Sequence, residues 1–241
     1  MEKVLLVIGA SSDIGTSTIS DLWEDYDIII AHYNHMNEKM ERLIQLCGDK
    51  LICFQADLAE EIQIKELISN IKETGLPITH ILHLPAPQCA NSKFHKIPWR
   101  IFENELNISL KSLILLSQEF LPKMAKVHYG KLVIMLSFVL NGMPPGYCSN
   151  YVVTKYSLLG LMKALAVEYA NKGITVNGIS PAWIMTKYIN NQSEFLIEEN
   201  AQKSPIGRNL FVSDIVPTIR YLFSDGANCV NGQNISITCG R

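Results

Sequence analysis

Along this chain, short apolar runs alternate with longer stretches of helical periodicity, a pattern that a sheet covered by helices produces. The segment Lys3-Val-Leu-Leu-Val-Ile8 is apolar at successive positions, as expected of a strand buried on both faces. Ile14-Gly-Thr-Ser-Thr-Ile-Ser-Asp-Leu-Trp23 then repeats its apolar positions with a helical period. Further strands are predicted at 27–32, 50–55, 79–84, 131–137, 173–179 and 234–238, each separated from the next by a helical pattern. Such alternation predicts right-handed strand–helix–strand units in a parallel sheet. No internal repeat, low-complexity tract or linker divides the chain, so a single domain over 1–241 is expected.

Between the first strand and the first helix stands Gly9-Ala-Ser-Ser-Asp-Ile-Gly15. Gly9 can adopt backbone angles closed to other residues, and Gly15 lets the helix pack close to the sheet. Free N–H groups at the helix start then face a pyrophosphate. Strand, glycine turn and helix in this order predict an α/β Rossmann domain, a doubly wound parallel sheet of about seven strands with helices on both faces. Further along, Tyr151 and Lys155 in Tyr-Val-Val-Thr-Lys are four residues apart. On a helix they share a face, so the ammonium can favour the ionised phenol, which can then exchange a proton with an alcohol or ketone. Taken alone, the pair also fits an ordinary amphipathic helix; the glycine turn upstream gives it a chemical partner.

These residues resemble the classical short-chain dehydrogenase/reductases over nearly the whole length. The glycine turn resembles their Thr-Gly-x-x-x-Gly-x-Gly, Asp57 in Gln-Ala-Asp-Leu their adenine-side Asp, and Asn107 in Glu-Leu-Asn-Ile-Ser their active-site Asn. Tyr151 and Lys155 match their catalytic pair. Gly173-Ile-Thr-Val-Asn177, Ser180-Pro-Ala-Trp-Ile-Met-Thr186 and Asn231-Gly-Gln-Asn-Ile-Ser-Ile-Thr-Cys-Gly240 resemble later family segments, and Ser204-Pro-Ile-Gly-Arg208 looks most like the ketoacyl-carrier reductases. The resemblance implies an NAD(P)H-dependent ketoreductase in which Tyr151 donates the proton, Lys155 assists it and holds the ribose, and Asn107 holds a water leading to solvent. Gly9, Ser11, Ser12, Ile14, Gly15, Asn34, Asp57, Leu58, Lys155, Pro181, Ile184 and Thr186 would bind the cofactor. Asp57 could instead cap the helix beginning near Glu60, and Asn107 could mark a break in its helix.

Several positions depart from the family. Its usual Ser thirteen residues before the Tyr falls on Phe138, while Ser137 lies one residue earlier. Adjacent strand residues face opposite ways, so Ser137 serves only if the strand end is shifted; Tyr147 and Ser149 are further candidate donors. Leu84-Pro-Ala-Pro87 replaces Asn-Asn-Ala-Gly, Asp13 replaces a glycine of the turn, pointing to solvent or capping the helix, and Ala182 replaces another glycine. Such losses motivate an alternative, an inactive nucleotide-binding protein with a regulatory or assembly role. After the second strand, Ile30-Ala-His-Tyr-Asn-His35 offers no carboxylate to repel a 2′-phosphate, and His32, His35 and Lys39 can supply positive charge, so NADP(H) is favoured over NAD(H).

Composition narrows the partners. A net charge of −2 over 241 residues gives no argument for nucleic acid or anionic membrane. No apolar stretch reaches membrane-spanning length, and no signal segment precedes the first strand, so a cytoplasmic protein is expected. The six cysteines show no metal-ligand or disulfide spacing, and no metal is expected. A lid over about 183–210, with Trp183, Met185, Tyr188, Phe195 and Leu196, would suit an apolar carbonyl substrate, free or bound to acyl carrier protein or coenzyme A; His95 and Trp99 would form the opposite wall. The apolar segments Leu110–Leu121 and Tyr151–Tyr169 match those with which members of the resembled family build dimers and tetramers, so the resemblance implies a homodimer or homotetramer.

Overall fold

The computed structural model describes residues 2–89, 91–189 and 192–240. Strands β1 (Val4–Ile8), β2 (Ile28–Tyr33), β3 (Leu51–Gln55), β4 (Ile78–His83), β5 (Gly130–Met135), β6 (Ile174–Pro181) and β7 (Asn234–Ile237) form one sheet. Its order is β3-β2-β1-β4-β5-β6-β7 and every pairing is parallel. The chain therefore winds outwards from β1 in one direction and from β4 in the other, leaving a crevice at their carboxyl ends.

Period-two geometry explains the uninterrupted apolar strands. Val4, Leu6 and Ile8 of β1 enter one core, while Leu5 and Val7 enter the other. Helices α1 (Asp13–Leu22), α2 (Glu38–Cys47) and α8 (Val216–Phe223) cover the second core; α3 (Glu61–Glu73), α5 (Ser112–Lys126) and α6 (Ser149–Tyr169) cover the first. Two further helices complete the chain: α4 (Trp99–Glu105) between β4 and α5, and α7 (Glu194–Gln202) between β6 and α8. Burying one Leu or Ile contributes about 1.5–3 kcal/mol, so both layers hold the sheet rigid beneath the crevice.

Gly15 sits where α1 approaches the turn most closely. A Cβ there would lie 2.6 Å from the Ala10 carbonyl oxygen and 2.7 Å from that of Gly9. Gly15→Ala is expected to destabilise the protein by about 1–3 kcal/mol through overpacking; an unchanged urea midpoint would contradict this close approach.

Two histidines of β4 are buried. His80 contacts Thr79 Oγ1 at 2.9 Å and the Phe223 carbonyl at 3.3 Å, and His83 contacts Ser112 Oγ at 3.0 Å. Burial lowers His80 from 6.5 to about 4; burial, aided by the nearby Lys155 ammonium, lowers His83 to about 3. Both rings are neutral at pH 7, and below about 6.5 the unfolded chain takes up protons that the folded one refuses. Their contribution is thus present above pH 6.5 and is lost as pH falls towards these lowered values, at about 1.4 kcal/mol per unit for each ring. Unfolding free energy measured in urea should fall between pH 7 and pH 5, and a flat profile would count against neutral buried rings.

Candidate active site

The crevice holds a cavity of about 600 Å³. Its floor at one end is the glycine turn, where Gly9 has φ of 81°. Ser12 caps α1: its hydroxyl accepts the Gly15 N–H at 3.1 Å and donates to the Gly9 carbonyl at 2.7 Å. The N–H groups of Asp13 and Ile14, in the first helical turn, have no acceptor within the helix, and the positive end of its dipole faces the cavity. Gly9, Ser11, Ser12 and Ile14 line that wall; Gly15 stands behind it as the packing position described above. This is an anion cradle, and it fits a pyrophosphate.

His32 is not the surface cation that the sequence predicts. Its ring is 2% exposed, Nδ1 accepts the Gly9 N–H at 3.1 Å and Nε2 lies 3.0 Å from the Ala56 carbonyl. Burial lowers its pKa despite the opposing bond to Ala56, so a neutral ring ties the glycine turn to the ends of β2 and β3. His35 is exposed, and Asn34 lines the cavity. Asp13 neither caps α1 nor points freely to solvent. Its carboxylate holds Lys39 Nζ at 2.5 Å and accepts the Lys187 N–H at 2.7 Å, joining the turn, the first turn of α2 and the 183–210 segment. Lys39 is therefore already paired. Asp57 and Leu58 also line the cavity, yet Asp57 accepts the N–H of Ala59 at 2.9 Å in a local turn, and the N-cap position of α3 is held by Glu60, whose side chain makes no capping bond.

At the other end stands α6. Lys155 is 1% exposed; its Nζ lies 5.5 Å from the centre of the Tyr151 ring and donates to the Met135 carbonyl at 2.8 Å. The expected depression of the Tyr151 pKa is absent. Enclosure away from water pushes the phenol up to about 12, against the opposing hydrogen bond to Ser137, while burial lowers Lys155 to about 8 against the field of Glu105. Tyr151 is thus a protonated acid at neutral pH.

The β5 ladder ends at Met135, two residues before the strand predicted from the sequence. Ser137 then caps a 3-10 turn over Phe138–Leu140, its hydroxyl accepting the Val139 N–H at 3.5 Å and bonding Tyr151. Because the turn breaks strand alternation, Ser137 and Phe138 both line the cavity. The shifted strand end required by the sequence reading is present. Pro181, Ile184 and Thr186 line the wall leading to the 183–210 segment, and Leu84, Pro85 and Pro87 line the facing wall.

From that segment, Trp183 and Tyr188 reach the cavity. Tyr188 donates to the Pro87 carbonyl at 2.9 Å and is hydrogen-bonded to Tyr151. Met185, Phe195 and Leu196 are exposed, at 41%, 72% and 41%. His95 is exposed, and Trp99 is 68% exposed and stacks on Phe102, so neither forms the opposite wall.

Asn107 is half-buried in a π turn, Leu106–Lys111, whose bulge delivers the Ser112 N–H to the Asn107 carbonyl. The helix break is therefore real, and Ile108 rather than Asn107 lines the cavity. Sequence reasoning missed Glu105. It is 2% exposed and accepts from Asn150 Nδ2 at 2.5 Å and Thr154 Oγ1 at 3.4 Å, the residues immediately before Tyr151 and Lys155. Burial raises its pKa against those bonds and the Lys155 charge. Its only signal was an acid among the apolar positions of α4.

Residues 9–241 match the family described as Enoyl-(Acyl carrier protein) reductase. The chain is 28% identical over 243 residues to the 3-oxoacyl-[acyl-carrier-protein] reductase of Staphylococcus epidermidis, covering 100% of this chain and 99% of that protein. It is also 28% identical over 239 residues to the enzyme of the same name from Rickettsia conorii, covering 99% and 96%. Among solved structures, levodione reductase superposes with a TM-score of 0.89 at 23% identity, covering 99% and 96% of the two chains. ElxO with NADP bound gives 0.85 at 24%, covering 100% and 98%. With a family match running from the first glycine of the phosphate turn through residue 241, this protein belongs to the short-chain dehydrogenase/reductases, NAD(P)-dependent oxidoreductases of CH–OH and C=O groups.

Proposed function

We propose that this protein reduces the keto group of an apolar 3-oxoacyl thioester, carried on acyl carrier protein or coenzyme A, with NADPH preferred to NADH. The observation that carries the reading is that a neutral Tyr151, hydrogen-bonded to Ser137 and backed by Lys155, opens onto the same cavity as the anion cradle at Gly9. The residues present fit the dinucleotide: free helix N–H groups for the pyrophosphate, Asp57 and Leu58 at one end, and Pro181, Ile184 and Thr186 at the other. The names of the curated relatives support the thioester class.

Bound there, the reduced nicotinamide supplies the hydride. Ser137 holds the substrate carbonyl oxygen, and Tyr151 gives its phenolic proton to that oxygen as negative charge develops. A phenol near 12 keeps its proton at neutral pH until an alkoxide forms beside it. Lys155 then stabilises the phenolate and holds the ribose, and Asn107 supports a water path by which the proton is replaced. Tyr188 must leave Tyr151 to admit the substrate. The 183–210 segment acts as a lid, fastened by the contacts of Lys187 to Asp13 and Tyr188 to Pro87.

Phe138 and Leu84-Pro-Ala-Pro87 motivate the alternative of an inactive nucleotide-binding protein; the hydroxyl of Ser137 beside Tyr151 answers the first, and the active reading is favoured over the inactive one. Among the described residues no helix is long and apolar enough to cross a membrane, and the proposed setting is cytoplasmic. The outer face of α6 leaves Val153 and Tyr156 each 45% exposed and Val167 82% exposed, surface suited to a homodimer or homotetramer.

Tyr151→Phe should lower single-turnover NADPH oxidation with a 3-oxoacyl N-acetylcysteamine thioester by about 10²–10⁴-fold, with cofactor affinity nearly unchanged. A fully active variant would refute the mechanism. Asn34, which follows β2, lines the cavity, and on this reading it stands where an acidic residue would disfavour a 2′-phosphate. Asn34→Asp should shift the ratio of kcat/KM values towards NADH by about tenfold, or 1.4 kcal/mol; an unchanged ratio would remove Asn34 from the account of preference.

A further inference from the structure

After β4 the chain runs along the rim of the cavity, where Cys89 and Asn91 still line it. Two bonds fix this rim. The Asn91 amide donates to Gln192 Oε1 at 3.1 Å, and the Ser92 N–H donates to the Tyr147 carbonyl at 2.8 Å. The next eight residues are Lys93-Phe-His-Lys-Ile-Pro-Trp-Arg100. All are exposed except the half-buried Ile97, and none is acidic.

Three permanent cations in eight residues are unusual in a chain with 21 basic and 23 acidic residues. Among the described residues, Lys93, Lys96 and Arg100 form no ion pair, although Lys39, Lys65, Lys123, Lys203 and Arg208 all do. Between the cations stand Phe94, 72% exposed, and Trp99, 68% exposed, and Tyr147 on the adjoining loop is 62% exposed. Exposed aromatics among unpaired cations are the composition of an interface centre waiting for an acidic, partly apolar surface. A free small substrate needs no such surface, whereas a substrate tethered to a protein must bring that protein to the cavity mouth.

We infer that Lys93–Arg100 is the docking surface for an acidic carrier protein that presents the acyl chain as a thioester. This rests on the function proposed above and deepens it. Lys93, Lys96 and Arg100 steer and register the acidic face of the carrier, Phe94 and Trp99 cover its apolar part, and the tethered thioester enters past Asn91. Steering of this kind governs association and is weakened by salt.

The test compares one acyl group on two carriers, acyl carrier protein and N-acetylcysteamine, with wild type and a K93E/K96E/R100E variant. The expected result is a loss of about tenfold or more in kcat/KM for the protein-bound substrate, mainly through KM, with the small thioester within about twofold of wild type. Raising NaCl should penalise only the protein-bound substrate. A second variant, F94S/W99S, should act in the same direction, and because all five side chains are exposed, thermal melts should match wild type. Equal behaviour of wild type and variants towards both thioesters overturns the docking surface while leaving the reductase intact. Wild type inactive on both overturns the function instead, and anisotropy of labelled acyl carrier protein then decides docking: binding lost in the variant sustains it, and no binding to wild type ends it. Cosedimentation with phosphatidylglycerol vesicles that depends on Lys93, Lys96 and Arg100, without any effect of the carrier, assigns the surface to a membrane and also overturns the proposal.

Discussion

The ammonium of Lys155 is enclosed by the protein with no carboxylate bonded to it, and the carboxyl edge of the sheet is arranged around that fact. A buried charge left alone costs several kcal/mol. Here it is met by the Met135 carbonyl at 2.8 Å and the face of the Tyr151 ring, and the field of Glu105 favours the charge. Each partner constrains another element. Met135 must end β5 where its carbonyl points at α6, and that end lets the following turn bring Ser137 to Tyr151. Glu105 must be buried at the end of α4, where Asn150 and Thr154 bond it and clamp α4 against the first turns of α6.

The π turn that follows Glu105 belongs to the same arrangement. Helix α4 is committed to Glu105 facing α6, while α5 must place Leu113, Leu116 and Phe120 in the core beneath the sheet. A regular helix keeps one phase throughout, and the wider turn over Leu106–Lys111 changes it between the two commitments. Asn107 lies in this turn, so its position follows from the phase change that α4 and α5 impose.

What the sequence made legible follows the range of the forces involved. The seven strands lay within about two residues of their expected places because burial on two faces writes itself into consecutive apolar residues. The cradle was legible because Gly9 and Gly15 answer local demands, a positive φ and a close approach. His32 was misread because its type suggests a cation, while its neutrality comes from burial among segments distant in sequence, with Gly9 and Ala56, its hydrogen-bond partners, 23 and 24 residues away. Ser137 could be named but not placed, since one 3-10 turn decides which way it faces. Glu105 was invisible because a lone acid in a helix reads as surface until Asn150 and Thr154 are folded against it.

Asp13 illustrates how a departure from a family pattern becomes structure. A carboxylate on the phosphate turn repels a pyrophosphate if it faces one, and the positive end of α1 alone offsets little of that, about 0.3–1 kcal/mol. Here the carboxylate lies at the cavity wall and is met by two donors, the Lys39 ammonium and the Lys187 N–H, the first of which offsets its charge. The same bonds bind the turn to the 183–210 segment, so a side chain that could have weakened the cradle instead couples it to the wall above. Cradle and wall therefore share one anchor: the Asp13 carboxylate that stands beside the phosphate turn is also the acceptor that holds the backbone at Lys187.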